Sequence, residues 1–463
     1  MMKKIFFTLR TAAIALLLFA VVANTFAQKQ TPPAGGQPKP FVFPKQEVYT
    51  LPNGMNVTLV PYGSVPKVAF QAVIYAGTKD DAKGKKALSE MVCMMLKEGT
   101  QTRAAEQIAR ETAEMGGGLN VGTGTDSTNL SGEVLTEFGP QFVALLADVI
   151  QNPHFKSEDL ERIRANKLRA LAVARTQAGN QAWSKFREVI FAGHPYAQIN
   201  PTDDEVKGYT LDDVRNFYTE FYGGTRTDLY VVGKFDTAAV KNAISKAFGG
   251  WKRGTAATRN VPTINAKRAF AMMDRPDSPQ STIYLGMPGP AVSDPDYAKF
   301  VVMDSILGGA FGSRITANIR ENKGYTYSPG SFLWNRYKTG YWVQSADVTT
   351  EFTGASIKEI LFEINRMRTE PVGDTELSGI KSYLIGLYVL QNSARTGVIG
   401  QLESMNYNEL GKDYLDSYVQ KLSAVTAADV QGMAKKYLVE EKMALVVVGD
   451  KAKISEQLKP YER

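Results

Sequence analysis

One helix–strand unit occurs twice in the chain, and it decides the fold. Residues 210–233 read TLDDVRNFYTEFYGGTRTDLYVVG, and residues 426–449 read TAADVQGMAKKYLVEEKMALVVVG. In each copy a Thr, with an Asp three positions later, opens a helix that leads to an apolar strand ending in Gly. The two copies keep the same spacing and start 216 positions apart, at Thr210 and Thr426. This shared spacing favours a duplicated domain of about 210 residues over chance similarity.

The rest of the chain interleaves strands and helices without a regular βαβ rhythm. An Asn53-Gly54 turn joins two strand-like runs, and residues 157–190 read as one or two amphipathic helices. The pattern predicts an α+β fold of two duplicated domains, each a mixed or antiparallel β-sheet covered by helices. We expect the domains at 45–253 and 268–463, joined by a polar, Pro-containing linker at 254–267.

The N-terminus has the layout of a secretory signal peptide. Three cationic residues precede an apolar run at 12–23, and small residues precede a cleavage point after Ala27. We therefore expect a signal peptide at 1–27 and an extended Pro/Gly-rich linker at 28–44. An uncleaved anchor is the alternative, although the run is short for a bilayer span. The sequence predicts an exported protein without a stable membrane anchor, most simply in a bacterial periplasm.

The composition excludes several classes of protein. The chain has 463 residues, a formal net charge of +7, two His and one Cys. Loss of the three cations before the apolar run leaves +4, which is too weak to predict nucleic-acid binding. Cys93 has no partner for an intramolecular disulfide. His154 and His194 are too far apart in sequence to be a zinc-binding pair on one helix, and we expect both to be structural.

Both halves contain short motifs rich in glycine and aromatic residues, and the motifs of the two halves differ. The first half carries LPNGM at 51–55, LKEGT at 96–100 and AGHPY at 192–196. The second half carries LGGAFGSR at 307–314 and IRENKGYTY at 319–327. Together these motifs resemble the pitrilysin/insulinase family of zinc metallopeptidases, in particular its half-size, mitochondrial-processing-peptidase-like branch. The resemblance implies two pitrilysin-like halves in this chain, and two such two-domain chains would together enclose a chamber that admits unfolded peptides.

One helix of the first half departs from the family pattern. Active members carry H-x-x-E-H there: two His and a distant Glu hold zinc, and the motif's Glu polarises the attacking water. Aligned on the Gly-Thr end of this helix, the three positions are Glu90, Cys93 and Met94, and residues 166–175 contain no acid. The resemblance thus implies neither a zinc site nor another cofactor in this chain. Glu90 and Cys93 share a helix face, which leaves another metal site geometrically open, but an apolar core is the simpler interpretation.

The second half keeps the substrate-holding pattern of the family. Arg320 and Tyr327 are seven residues apart, the spacing at which the non-metal half supplies an Arg and a Tyr to the substrate backbone. A Tyr hydroxyl can donate to a developing oxyanion, and an Arg can bind a neighbouring carbonyl oxygen. The alternative is an ion pair of Arg320 with Glu321 and packing of Tyr327 in a strand. Tyr325 competes with Tyr327 for the assignment.

A glycine pair completes the candidate substrate site. Gly308 and Gly309 resemble the glycine-rich loop that contacts substrate in the processing-peptidase partner subunit, and a helix stop followed by a turn explains them equally well.

These features predict a non-catalytic, substrate-binding subunit of an exported heteromeric zinc endopeptidase of the insulinase type. A homologous H-x-x-E-H subunit would supply the zinc, and unfolded peptides would be the substrates. A stand-alone periplasmic peptide-binding or scaffold protein is the alternative. An active enzyme with a different metal is a weaker third interpretation.

Overall fold

The computed structural model describes residues 42–197, 200–411 and 413–462. The expected signal peptide at 1–27 and most of the expected linker at 28–44 lie outside the described residues. From Val42 onward the chain forms a single unit by its backbone contacts.

The first half builds a six-stranded mixed sheet. Its order is β1-β2-β6-β3-β5-β4, in which β2 and β6 are parallel and the other neighbours are antiparallel. The turn at Asn53-Gly54 lies between β1 and β2, and Gly54 has a φ of 87°. The strands are β1 (Glu47–Thr50), β2 (Asn56–Pro61), β3 (Lys67–Ile74), β4 (Asn120–Thr123), β5 (Thr128–Leu135) and β6 (Thr227–Gly233).

The second half builds a five-stranded sheet with the same layout. Its order is β7-β11-β8-β10-β9, and β11 is parallel to β7 while the other pairs are antiparallel. The strands are β7 (Ala269–Asp274), β8 (Gln280–Gly289), β9 (Gly330–Arg336), β10 (Thr339–Thr349) and β11 (Ala444–Gly449). β6 and β11, which end the two repeated sequence units, take equivalent places in the two sheets. The predicted α+β fold with duplicated mixed sheets is confirmed.

The repeated helices begin at matching capping boxes. Thr210 accepts a hydrogen bond from the Asp213 amide at 3.2 Å, and Thr426 accepts one from the Asp429 amide at 3.1 Å. In each case the Asp carboxylate accepts the Thr backbone N–H in return, at 3.0 Å. Two orphan amides are thereby satisfied at each helix start, which fixes where the unit begins.

Helices cover both sheets. Those of the first half are α1 (Leu88–Leu96), α2 (Ala105–Glu114), α3 (Gly139–Gln151), α4 (Ser157–Thr176), α5 (Ala178–Ile190), α6 (Asp203–Gly208), α7 (Leu211–Phe221) and α8 (Thr237–Phe248). Those of the second half are α9 (Tyr297–Asp304), α10 (Thr353–Thr369), α11 (Asp374–Ser393), α12 (Arg395–Tyr407), α13 (Tyr414–Ala424), α14 (Ala427–Tyr437) and α15 (Lys451–Leu458). None of the described helices is long and apolar enough to cross a membrane.

Each half has its own hydrophobic core between its sheet and its helices. The first core includes Phe70 and Phe142, whose rings lie 5.2 Å apart, and the buried Trp251. The second core is centred on the fully buried Trp342. Burial of these apolar faces stabilises each half separately.

The two halves exchange one helix each. Phe186 and Ile190 of α5 pack against Tyr341 of β10 and Val446 of β11, on the second sheet. In return α12 lies on the first sheet, where Glu403 accepts a hydrogen bond from Gln71 at 2.7 Å. The α4–α5 pair and the α11–α12 pair each turn at a single residue, Gln177 and Ala394. The exchange ties the two halves together across the expected 254–267 linker.

Candidate functional site

The degenerate metal-motif positions lie on α1. The Glu90 carboxylate forms an ion pair with Lys167 of the neighbouring helix α4. Cys93 is 3% exposed in the first core, and burial raises the pKa of its thiol to about 12. Met94 is partly buried against the same core. The helix has therefore kept its packing while its motif positions carry side chains with other roles.

These side chains do not fit a zinc ion. Zinc is held by thiolate, neutral imidazole or carboxylate ligands, usually four around the metal. Cys93 is buried among apolar side chains of the first core, and the carboxylate of Glu90 is already paired with Lys167. A Met thioether is a poor zinc ligand. Within residues 42–197, 200–411 and 413–462, no group of three or more His, Cys, Asp or Glu is placed to hold a metal ion.

Both histidines are engaged in local structural contacts. The His154 ring lies 2.9 Å from the Asp159 carboxylate at the start of α4, and its backbone N–H donates to Gly99. His194 accepts a hydrogen bond at Nδ1 from the Tyr196 amide at 3.2 Å, and burial lowers the pKa of its ring. Neither arrangement is that of a metal ligand or of a base next to a nucleophile.

The second half presents an exposed cluster of an arginine and two aromatic rings, which we call the aromatic–arginine cluster: Phe311, Arg320 and Tyr327. The Arg320 guanidinium lies 4.6 Å from the Phe311 ring centroid and 4.8 Å from that of Tyr327. Phe311 is 73% exposed and Tyr327 is 80% exposed. Arg320 also forms an ion pair with Glu321 at 3.1 Å. The rings hold the guanidinium at the surface while both aromatic side chains stay available to a ligand.

The backbone after Arg320 explains why Tyr327, and not Tyr325, reaches the surface. The Tyr325 ring stacks on Phe352 with centroids 4.4 Å apart and packs against the second core. Thr326 donates its hydroxyl to the Asp347 carbonyl at 2.6 Å and forms a β-bridge with Val348. Tyr327 follows this bridge outside the strands, and its side chain is 80% exposed. It is therefore not packed in a strand.

Gly308 and Gly309 end the helical segment Ser305–Gly309 above a buried polar cluster. A Cβ at Gly308 would lie 2.6 Å from both Gln344 Oε1 and Ser331 Oγ. The pair is followed directly by Ala310 and Phe311, so the turn leads into the aromatic–arginine cluster. The close packing around Gly308 is enough to explain why this position is a glycine. Gly309 is exposed, two residues before Phe311 of the aromatic–arginine cluster.

The buried polar cluster is centred on Asp304. Its Oδ1 accepts hydrogen bonds from the Trp342 indole at 2.6 Å and from the Ser331 hydroxyl. Burial raises the pKa of the Asp304 carboxyl to about 6. Because Ser331 belongs to the edge strand β9, this cluster fixes the glycine turn to that edge.

The sequence predicts Arg320, Tyr327 and the glycine pair as substrate-binding residues, and the fold brings Arg320 and Tyr327 together in the second half. The sequence-based prediction missed Phe311. The available signal is an aromatic residue inside the turn sequence Gly-Ala-Phe-Gly, where a helix or strand cannot bury it.

The fold and the site define a duplicated peptidase-like protein whose metal helix lacks the metal ligands. Two family models match it: "Insulinase (Peptidase family M16)" over residues 59–198 and "Peptidase M16 inactive domain" over residues 208–384. The chain belongs to the M16, or insulinase, family, which confirms the resemblance seen in the motifs.

The chain is similar to several curated relatives over most of its length. It is 25% identical to an uncharacterized zinc protease of Rickettsia felis, covering 79% of this chain and 86% of the relative. It is 22% identical to the non-peptidase homolog YmxG of Helicobacter pylori, covering 85% and 90%. It is also 22% identical to a probable mitochondrial-processing peptidase subunit beta of Arabidopsis thaliana, covering 88% and 78%.

Solved structures share the fold. A protease from Helicobacter pylori superimposes with a TM-score of 0.82 at 18% identity, covering 88% of this chain and 100% of that one. A peptidase M16 inactive domain from Pseudomonas fluorescens gives a TM-score of 0.81 at 21% identity, covering 88% and 98%. This chain is thus an inactive-type M16 peptidase homolog in fold and family.

Proposed function

We propose that this chain is the non-catalytic, substrate-binding subunit of an exported zinc endopeptidase of the insulinase type. One observation carries the proposal: the second half presents Arg320 against the exposed rings of Phe311 and Tyr327, while the described helix α1 lacks a set of metal ligands. A chain that had lost all function would have no need to keep two large aromatic side chains exposed beside an arginine in this way.

The aromatic–arginine cluster suits a peptide backbone. The Arg320 guanidinium lies over both rings, its Nε pairs with Glu321 at 3.1 Å, and its remaining N–H groups can donate to a carbonyl oxygen. The Tyr327 hydroxyl supplies a second donor at the surface. Removing one donor of this kind commonly costs about 3 kcal/mol of transition-state stabilisation. We infer that extended peptides bind along the nearby β9 edge, whose outer side has no neighbouring strand in the described sheet.

The catalytic zinc would come from a homologous partner with an H-x-x-E-H helix. Similarity to a protein named as a subunit of the mitochondrial processing peptidase supports a heteromeric arrangement. The sequence pattern of residues 1–27 supports export, and the periplasm is the compartment that we propose.

A stand-alone periplasmic peptide-binding or scaffold protein is the second candidate. Similarity to a relative named as a non-peptidase homolog favours it. Such a protein would use the same cluster to hold peptides, but it would have no catalytic partner.

The test is peptide cleavage by this chain alone, by an H-x-x-E-H partner encoded beside it, and by their mixture. We expect cleavage in the mixture that exceeds the partner alone, and a fall of at least about tenfold in kcat/KM with Arg320→Ala, Tyr327→Phe or Phe311→Ala. Arg366→Ala is the matched control, because Arg366 also lies beside an exposed ring, Phe362, at 5.8 Å, but on helix α10.

The outcomes separate the two candidates. No gain in the mixture, together with peptide binding that the three cluster variants weaken, would establish the stand-alone binder. Cleavage by this chain alone, or equal effects of Arg320→Ala and Arg366→Ala, would contradict the proposal.

A further inference from the structure

A buried arginine lies at the junction of the two halves, and part of its guanidinium has no hydrogen-bond partner among the described residues. Arg187 of α5 is 5% exposed, and its Nε and Nη2 atoms have no hydrogen-bond partner among the described residues. A guanidinium always carries its charge, and a buried, unpaired charge is costly to folding. A structure that keeps such a group has a use for it or a ligand that satisfies it.

Further unpaired donors lie around Arg187. The groups that act on its charge include Tyr341, Arg336, Asp126 and Tyr196. Within the described part of the chain, Arg336 Nε and the Tyr341 hydroxyl are also buried without a hydrogen-bond partner. The Arg336 guanidinium lies 5.8 Å from the Tyr341 ring centroid, which places both side chains in one group.

The local charge is positive. Arg187 and Arg336 contribute two positive charges, and each disfavours the other; the nearby acid is Asp126, which already accepts the hydroxyl of Tyr196. Two guanidinium groups and a phenol hydroxyl form a set of donors that matches a planar or tetrahedral oxyanion.

Another buried arginine, Arg226, shows how this fold satisfies a buried guanidinium with its own backbone carbonyl groups. Arg226 is also 5% exposed, and its guanidinium donates to the carbonyl oxygens of Tyr75 and Thr255, each at 2.9 Å. Its guanidinium also lies over the Phe221 ring at 5.0 Å. Arg187 and Arg226 are therefore equally buried, but the described residues supply hydrogen-bond acceptors to Arg226 and none to Nε and Nη2 of Arg187.

The group reaches the surface along strand β9. Arg336 is half-buried, and Trp334, on the same side of the strand, is 42% exposed. The Trp334 ring lies 5.7 Å from Trp183, which precedes Arg187 by one turn of α5. Arg336 is therefore the member of this group that lies nearest to solvent.

We propose that Arg187, Arg336 and Tyr341 form a binding site for a small oxyanion between α5 of the first half and the sheet of the second half. The shared chemistry is a carboxylate or phosphate group, either as a free ion or as the terminal carboxylate of a peptide. A bound anion would neutralise two cations contributed by different halves, so it would stabilise the packing of one half on the other. The site does not depend on a peptidase partner.

The test is calorimetric titration and thermal unfolding of the full-length chain at pH 7 and constant ionic strength. The probes are inorganic phosphate, acetate, and one short peptide with a free C-terminal carboxylate or a C-terminal amide. We expect saturable binding at one site and a rise in Tm over the chloride control. Arg187→Gln should weaken binding by about tenfold or more, the loss expected for a charge-assisted hydrogen bond.

Tyr341→Phe and Arg226→Gln keep the test decisive. Tyr341→Phe removes only a buried hydroxyl and keeps the ring, so it should retain the fold and weaken binding severalfold. Arg226→Gln should lower stability without changing the affinity. Binding of phosphate or acetate identifies a free ion, and binding of the carboxylate peptide but not its amide identifies a peptide terminus. No saturable binding, or affinities that Arg187→Gln and Tyr341→Phe leave unchanged, would overturn the proposal.

Discussion

At the scale of single residues, Gly308 shows how packing and function can be told apart. A Cβ at Gly308 would meet Gln344 and Ser331 at 2.6 Å, whereas one at Gly312 meets nothing within 4 Å. We expect Gly308→Ala to lower the free energy of unfolding by about 1–3 kcal/mol through overpacking. Gly312→Ala, the matched control in the same loop, should change it by less than about 0.5 kcal/mol. Equal urea midpoints for the two variants would show that packing does not constrain Gly308.

Asp304 makes a second residue-scale prediction, on pH. Its pKa is raised to about 6 by burial, above the ordinary value of 3.8, so the folded state binds its proton more tightly than the unfolded state. Its contribution to stability is therefore most favourable below pH 4 and declines as pH rises through 6. In Asp304→Asn the carbonyl can still accept both the Trp342 and Ser331 hydrogen bonds, since both reach Oδ1.

We therefore expect Asp304→Asn to gain stability relative to wild type between pH 4 and pH 7, by about 3 kcal/mol at most. Unfolding in urea at pH 4, 5, 6 and 7 measures the difference. A difference that is constant over this range would show that Asp304 does not titrate there.

The sequence predicted individual candidate site residues only where they belong to a recognisable motif. Arg320 and Tyr327 stand in a specific motif, whereas Phe311 becomes a site residue only because the turn after Gly309 places its ring over Arg320. The choice between Tyr325 and Tyr327 also needed the structure, because it depends on which residue of an extended segment faces the core. Arg187 gave no sequence signal, since its isolation results from the packing of two distant segments.

At the scale of elements, helix α1 keeps its position although its metal motif is lost. The Asp81 carboxylate accepts the backbone amides of Ala87 at 2.7 Å and Ser89 at 2.8 Å, which fixes the start of the helix. Apolar side chains on the other faces, including Met91 and Met95, are fully buried. The helix is therefore a structural part of the first core.

The thiol of Cys93 reports on this packing. It is 3% exposed with a pKa raised to about 12, so it should react with a disulfide reagent at least about a hundredfold more slowly than a free thiol at pH 8. The same chain in 6–8 M urea, about the range that unfolds most domains, should react at the free-thiol rate. Fast reaction in the native state would mean that α1 opens readily, contrary to the packing described here.

The repeated units were the elements that the sequence predicted best. Their capped helices and apolar strands carry local signals, a Thr-to-Asp box and a β-branched run, that need no distant partner. The residues 157–190 form two helices, and their division at Gln177 was left open by the sequence. The exchange of α5 and α12 was not predictable, because periodicity shows that a helix has an apolar face but not which sheet covers it.

At the scale of the whole molecule, this exchange couples the halves. Arg395, at the start of α12, donates to the Glu133 carboxylate of β5 through Nε at 3.1 Å and Nη2 at 2.9 Å, and Lys67 approaches the same carboxylate at 3.5 Å. Asn406, near the end of α12, donates to the Tyr230 hydroxyl at 2.9 Å. Both ends of α12 are thus attached to the sheet of the other half.

The coupling predicts that the halves unfold together. Hydrogen exchange of β6 and β11, the equivalent strands of the two sheets, should report the same unfolding free energy in the wild-type chain. Arg395→Ala removes a bidentate, partly buried pair, so we expect both strands to lose about 1–3 kcal/mol of protection. Lys459→Ala is the control, because Lys459 forms an exposed ion pair with Glu456 three residues earlier, and its loss should cost less than about 1 kcal/mol. If Arg395→Ala lowers protection in β6 alone, the halves are independent units, and an anion bound at Arg187 could not act on both.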